Sequence, residues 1–326
     1  MQFSCEHCGR VFESQLASNG GLEFCTHCQK LNLSIPEGEL SFVLLGDFKI
    51  EERIGSGGHS MVVRALHMPS GYTYALKLFF GQGTNETHSS EDFFQEVETA
   101  SQLVHDNIVR IYEGGNYQNI MYIVMEYVDG MSLGDYLEVY GSMPAEDSTA
   151  SMIHVCYALD YVWSNFLMIH RDVKPHNIII TSSGEIKLCD FGLTSSHETA
   201  VQESRNILGT PFYLSPEMIQ TDIYQDNRSD IYSLGCTLYH LVVGSPPFNC
   251  GGILEVVNAR LNNPPPDPRE ESPNCPANLA SVIMTMMATD ANNRYATAFE
   301  VAADLIRVRN GETPHLVDPE RARVNQ

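Results

Sequence analysis

Residues 168–192 read Met-Ile-His-Arg-Asp-Val-Lys-Pro-His-Asn-Ile-Ile-Ile-Thr-Ser-Ser-Gly-Glu-Ile-Lys-Leu-Cys-Asp-Phe-Gly. Two short apolar runs, Ile178–Ile180 and Ile186–Leu188, flank a turn at Ser182-Ser183-Gly184, which predicts a hairpin. Asp172, Lys174 and Asn177 stand just before it and Asp190 just after. A tight hairpin brings its ends together, so Asn177 and Asp190 are expected to face one small volume. Two oxygen-bearing side chains there suit Mg²⁺, a hard cation that takes one or two carboxylates and leaves its other positions to water and phosphate oxygens. Asp172 is then close enough to accept a proton from a hydroxyl nucleophile. Lys174 is close enough to offset charge on a transferring phosphoryl group.

In order and spacing, His170-Arg171-Asp172, Lys174, Asn177 and Asp190-Phe191-Gly192 resemble the catalytic-loop and metal-loop signatures of the protein-kinase superfamily. The alternative is a chance polar loop between two core strands, and matches at so many spaced positions argue against it. The resemblance runs in unbroken order over residues 48–309 and is nearest to bacterial eukaryotic-like serine/threonine kinases. It implies an α+β, bilobal protein-kinase fold. A small β-rich lobe is expected over 48–128, a large α-rich lobe over 129–310 and a tail over 311–326.

Within the small lobe, Ile54-Gly-Ser-Gly-Gly-His-Ser-Met-Val matches a Gly-x-Gly-x-x-Gly-x-Val loop at Gly55, Gly57 and Val62, with Ser60 at the third glycine position. Residues without side chains let backbone N–H groups approach a triphosphate closely. In Tyr74-Ala75-Leu76-Lys77, Lys77 fits the phosphate-anchoring lysine of the family. Glu91–His105 carries Phe93, Val97, Ala100 and Val104 at helical spacing. Family spacing makes Glu96 the ion-pair partner of Lys77, and Glu98, two residues on, lies on the opposite face. Ile108–Tyr112 and Met121–Met125 bracket Gly114-Gly115-Asn116 and read as an antiparallel pair. By resemblance Met125 is the gatekeeper, backbone groups of Glu126 and Val128 bond adenine, and either Asp135 or Ser132 meets the ribose. The cofactors implied are ATP and Mg²⁺, with Mn²⁺ as a substitute.

In the large lobe, Pro144–Phe166 predicts a long helix, and Asp230 is expected to hold the catalytic-loop backbone. Arg294 is expected to pair with a buried Glu217. Leu193–Pro216 resembles an activation segment, with Thr194, Ser195, Ser196, Thr199, Ser204 and Thr210 as hydroxyls. Lys174 together with Thr210 is the serine/threonine pattern of the family. Arg171 implies that a phosphate on this segment would order it. His176 stands where many basic-directed kinases carry an acid.

Ahead of the kinase-like region, Cys5, Cys8, Cys25 and Cys28 form a Cys-x2-Cys-x16-Cys-x2-Cys pattern. Two-residue gaps let both thiolates of a pair point at one ion, and four thiolates make a closed structural Zn²⁺ site. Two disulfides or a redox pair are the alternatives. Residues 1–33 are therefore expected to form a zinc-ribbon-like module that docks a protein partner or self-associates, and 34–47 a linker.

The 326 residues carry 19 basic and 41 acidic side chains, a net charge of −22, which argues against nucleic acid as a partner. Met1–Arg10 has no apolar core, so no signal peptide is expected. Cys156, Cys189, Cys236, Cys250 and Cys275 then read as reduced residues of a cytoplasmic protein. The longest uncharged stretch, Ile231–Leu254, is broken by His240 and Pro246-Pro247. Its helical part is shorter than the roughly 20 residues a membrane span needs, so a buried core helix is expected.

The activity expected is ATP- and Mg²⁺-dependent transfer of phosphate to protein Ser or Thr, including the chain's own activation segment. A catalytically silent scaffold that recruits partners through the ribbon is the alternative. Such relatives lose the lysine, the base or the metal aspartate, and Lys77, Asp172 and Asp190 are all in place.

Overall fold

A computed structural model describes residues 2–4, 10–13, 21–24, 31–34, 43–56, 60–79, 90–117, 120–191, 211–220 and 225–316. The chain divides into two compact units, Met1–Val104 with Arg110–Val128, and His105–Val109 with Asp129–Gln326. The division falls after Val128, and the five residues His105–Val109 ahead of it belong to the second unit.

The first unit begins with two small antiparallel hairpins. Strand β1 (Gln2–Ser4) pairs with β2 (Val11–Glu13), and β3 (Gly21–Phe24) with β4 (Leu31–Ser34). The four paired cysteines lie outside the described residues. A six-stranded antiparallel sheet follows, in the order β5-β6-β7-β8-β10-β9. Its members are β5 (Val43–Leu45), β6 (Phe48–Ser56), β7 (Ser60–His67), β8 (Thr73–Phe79), β9 (Ile111–Tyr117) and β10 (Ile120–Glu126). Part of the expected 34–47 linker is thus an edge strand, with Leu45 fully buried. Three apolar residues are too few to show a period. What makes them a strand is the two-residue turn after them, where Gly46 adopts φ +58° and Leu45 pairs with Phe48.

Alternation along β7 buries Met61, Val63 and Ala65, and along β8 Leu76 and Leu78. With Phe48, Ile50 and Val124 they form the core on one face of the sheet. The other face carries Val62, Ala75, Lys77, Ile123 and Met125, which are cross-strand partners or one pleat apart.

Helix α1 (Ser90–Ser101) packs on that second face, where Phe93 meets Phe79 edge-on at 5.3 Å. It ends earlier than the helical spacing suggested, and Val104 is exposed while Leu103 is buried. The turn expected at Gly114-Gly115-Asn116 is absent, because β9 runs straight through it to Tyr117. These glycines serve close packing. A Cβ on Gly114 would stand 3.2 Å from Val97 of α1, and one on Gly115 would run into the Tyr122 ring.

The second unit holds a three-stranded sheet of β11 (Gly130–Ser132), β12 (Ile178–Thr181) and β13 (Ile186–Leu188). Around it stand α2 (Leu133–Tyr140), α3 (Ala145–Phe166), α4 (Pro216–Ile219), α5 (Asn227–Val243), α6 (Ile253–Asn262), α7 (Ala277–Met286) and α8 (Ala298–Arg309). Helix α5 is the central rod: Ile231, Leu234, Cys236, Leu238 and Leu241 are all fully buried. The apolar stretch read as a core helix is one. Among the described residues no helix is long and apolar enough to cross a membrane.

After α8 the chain folds back. The buried Asp304 carboxylate accepts the Tyr295 hydroxyl at 3.0 Å and the amides of His315 and Leu316 at 2.6 and 3.0 Å. The first residues of the expected tail are therefore pinned, and 317–326 lie outside the described residues.

Candidate active site

The predicted hairpin is present. Ile178 pairs with Leu188 and Ile180 with Ile186, and the turn closes with Gly184 at φ +84°. One step before this register, the Cys189 amide donates to the Asn177 carbonyl at 2.9 Å. Asp190 is the next residue, so Asn177 and Asp190 stand near each other at the open end of the hairpin.

Asp172, half-exposed, precedes the hairpin. Its Oδ2 accepts from Lys174 Nζ at 2.7 Å and from Asn177 Nδ2 at 2.8 Å. Both bonds land on Oδ2, so Oδ1 is the oxygen the described residues leave for an incoming hydroxyl. Asn177 Nδ2 also donates to the Asp172 carbonyl at 2.8 Å. With its nitrogen committed twice, the Asn177 side chain has its carbonyl oxygen left to offer a cation.

Two residues of this stretch, Arg171 at φ +69° and Asp190 at φ +65°, sit in the left-handed region without being glycine. Such backbone costs about 1–3 kcal/mol per residue and persists only where surroundings over-determine it. The buried carboxylate of Asp230, on α5, accepts the amides of His170 at 2.6 Å and Arg171 at 2.8 Å. Burial pushes this carboxyl above its ordinary range, while His170 and the two amides hold it back. His170 Nδ1 accepts the Asp172 amide at 3.2 Å, so the proton is on Nε2, which donates to the Cys189 carbonyl at 2.9 Å. Its ring meets Phe191 at 4.5 Å. One histidine thus ties Asp172, the hairpin exit and the residue after Asp190.

In the first unit the predicted nucleotide residues fall into one cross-strand row. Gly55 pairs with Val62, Val62 with Lys77, and Lys77 with Ile123. Ala75 pairs with Met125 in the neighbouring row, so Val62, Ala75, Lys77 and Met125 share a face. Lys77 is buried at 5% exposure, under the end of the sheet that α1 covers. Ile54 is exposed, and Gly57 lies outside the described residues. Glu96 is half-buried and Glu98 exposed. Met125 is buried and Val128 half-buried. The Glu126 amide donates to the Arg110 carbonyl at 2.8 Å. Ser132 and Asp135, the two ribose candidates, bond each other. The Ser132 hydroxyl donates to Asp135 Oδ2 at 2.7 Å and caps α2 by accepting the Asp135 amide.

The expected ion pair is buried and bidentate: Arg294 Nη1 and Nη2 donate to Glu217 Oε1 and Oε2 at 2.6 and 2.9 Å. The sequence reading missed Ser233, Thr237, His240 and Arg260, which hold residues 173 and 212–214. For the first three the signal was available as polar residues spaced three and four apart in an apolar helix; Arg260 stands alone on the next one. Thr210 and the segment 192–210 lie outside the described residues.

Residues 48–305 match the family model described as protein kinase domain. The serine/threonine-protein kinase PknB of Mycobacterium leprae is 34% identical over 285 residues, which cover 84% of this chain and 46% of that protein. PrkC of Bacillus subtilis, also a serine/threonine-protein kinase, is 33% identical, with 80% of this chain and 40% of that protein covered. The chain thus spans less than half the length of these curated relatives. The crystal structure of the Mycobacterium tuberculosis PknI kinase domain is similar at a TM-score of 0.65 and 25% identity, covering 83% of this chain and 99% of that one. Shared over most of its length with proteins of one kind, and folded as they are, the chain belongs to the protein kinase family in its bacterial serine/threonine branch.

Proposed function

We propose that the chain transfers the γ-phosphoryl group of ATP to serine and threonine hydroxyls of proteins. The observation that carries this is the Asp172 carboxylate, with Oδ2 held by Lys174 and Asn177 and Oδ1 left to take a hydroxyl proton. The donor set at the hairpin end, an amide oxygen and a carboxylate, fits Mg²⁺. Asn177 and Asp190 would hold it, and when bound it supplies neutralisation of phosphate charge. Lys77 anchors phosphates, with Glu96 as its orienting partner. Ile54, Gly55, Gly57, Val62, Ala75 and Met125 surround the nucleotide, to which Glu126 and Val128 offer backbone groups. Lys174 stabilises the transferring charge.

The acceptors include the chain's own segment 192–210. Arg171 supports this: its Nε is buried and has no hydrogen-bond partner among the described residues. A phosphate arriving from that segment would satisfy it by a charge-assisted bond.

A structural Zn²⁺ held by Cys5, Cys8, Cys25 and Cys28 belongs to the same proposal, as does recruitment of a protein partner or a second copy through that module. Each Cys-x2-Cys pair falls in the sequence joining the two strands of a hairpin, β1 to β2 and β3 to β4. That is where a two-thiolate knuckle forms. Zinc content near one per chain, with chelation melting residues 1–33 alone, is expected; zinc-free protein with an unchanged N-terminal spectrum would refute it.

The activity is tested by labelling a generic protein acceptor from γ-labelled ATP and identifying the phosphorylated amino acids. Phosphoserine and phosphothreonine are expected, with a loss of about 10²–10⁴ in rate for Asp172→Asn. An Asp172→Asn variant as fast as the parent would overturn the base.

A further inference from the structure

Arg260, on α6, is buried at 1% exposure. Its guanidinium stands over the rings of Tyr232 and Phe248, each at 5.7 Å. Nη1 donates to the Leu214 carbonyl at 2.5 Å and Nη2 to the Phe212 carbonyl at 2.6 Å. The carbonyl between them, of Tyr213, accepts from Ser233 Oγ at 2.8 Å. Three successive carbonyls are thus held by two side chains from two helices. The Tyr213 phenol is fixed as well, 2.6 Å from Nδ1 of His240.

Burying a guanidinium costs free energy that a leucine or methionine of similar volume would not. What arginine adds is a rigid planar fork that holds two acceptors at once. Here both prongs go to backbone, so the product of that cost is the fixed geometry of one strip. With its carbonyls turned inward, the strip leaves the half-buried side chains of Phe212 and Leu214 as its outward face.

Helix α5 holds the strip and the catalytic turn on one rod. Asp230 takes the amides of His170 and Arg171, Ser233 takes the Tyr213 carbonyl, and the Thr237 hydroxyl reaches the Val173 carbonyl at 3.5 Å. Positions 230, 233, 237 and 240 recur three and four apart, which puts them on one face. Residues 212–214 are therefore registered to the same frame as Asp172.

We propose that Arg260 is a positioning residue for the protein acceptor: by forking the carbonyls of Phe212 and Leu214 it fixes the strip in register with Asp172, so that an acceptor hydroxyl is delivered to that carboxylate. This rests on the phosphotransfer proposed above. Arg260 governs binding of the acceptor and leaves the nucleotide alone.

The test compares Arg260→Lys and Ser233→Ala with the parent chain. Lysine keeps the charge but cannot hold both carbonyls, so its acceptor KM rises about tenfold, while KM for ATP stays within about twofold. Ser233→Ala, which removes one of the three bonds and spares the fold, raises acceptor KM in the same direction by about threefold. Unchanged acceptor KM in both variants, or equal shifts in both KM values, overturns the positioning role. Amide hydrogen exchange separates this from failure of the phosphotransfer itself. Even in a chain that transfers no phosphate, Arg260→Lys is expected to speed exchange over 212–216 and spare 170–173. Unchanged exchange over 212–216 overturns the clamp on its own.

Discussion

Asn177 donates through one amide nitrogen to two oxygens of Asp172, the backbone carbonyl and Oδ2, both at 2.8 Å. The bond pair does two things at once. It holds the Asp172 carboxylate in one rotamer, and it turns the Asn177 carbonyl oxygen outward, where a cation can use it. An aspartate at 177 has the same shape but no donor, and it sets two carboxylates against each other. Asn177→Asp is therefore expected to lower kcat by about 10²-fold or more, with a smaller change in KM for ATP, in steady-state rates across Mg²⁺ concentrations. A variant with parental kcat would show that the amide does not position the base.

The Glu217–Arg294 pair is a stability element with a pH signature. Burial pushes the Glu217 carboxyl up, but the Arg294 fork and the Ser229 hydroxyl at 2.7 Å outweigh it, and the carboxyl ends below its ordinary value of 4.5. A depressed acid contributes stability that is present above that unfolded value and is lost as pH falls through the folded one. Arg294→Met leaves a buried carboxylate alone and is expected to cost about 3–5 kcal/mol in urea denaturation at pH 7. Glu217→Gln should lose part of the decline in stability that the parent shows below about pH 4.5. A superimposable acid limb in the two proteins would exclude the pair as its source.

His240 has the opposite chemistry and a different window. Burial first, and then His176, hold its imidazole down to about 4 from an ordinary 6.5, and only a hydrogen bond to the Gly244 backbone pushes upward. The groups facing it are Tyr213, whose hydroxyl bonds Nδ1, and His176. Between pH 6.5 and about 4 the unfolded chain binds a proton that the folded one refuses, so stability falls as pH falls through that range. Denaturation midpoints at pH 7.5 and 5.5 are expected to separate more in the parent than in His240→Gln. Equal separations would mean that position 240 carries no such linkage.

Much of this is legible in the sequence alone. The catalytic hairpin was readable because strand, turn and polar residues all lie within 25 consecutive positions, where local chemistry decides. The Arg294–Glu217 pair and the Asp230 hold on the catalytic turn came from resemblance, since no local pattern joins residues 77 or 60 positions apart. Gly114 and Gly115 misled because a glycine pair signals a turn, whereas here tertiary neighbours, Val97 and Tyr122, leave no room for a Cβ. Strand β5 was missed because its partner β6, and not its own three residues, makes it a strand. Arg260 was invisible for a related reason. A single arginine in an amphipathic stretch reads as a solvated charge, and only the packed rings and the two carbonyls show otherwise.

The most direct test is to incubate the purified chain with Mg²⁺ and γ-labelled ATP, beside Asp190→Ala, measure nucleotide binding for both, and map the label by mass spectrometry. Label on Ser or Thr between 194 and 210 in the parent, absent from the variant, is the predicted result. ATP bound by the parent with no label on itself or on any protein acceptor would contradict phosphoryl transfer and leave a silent scaffold in its place.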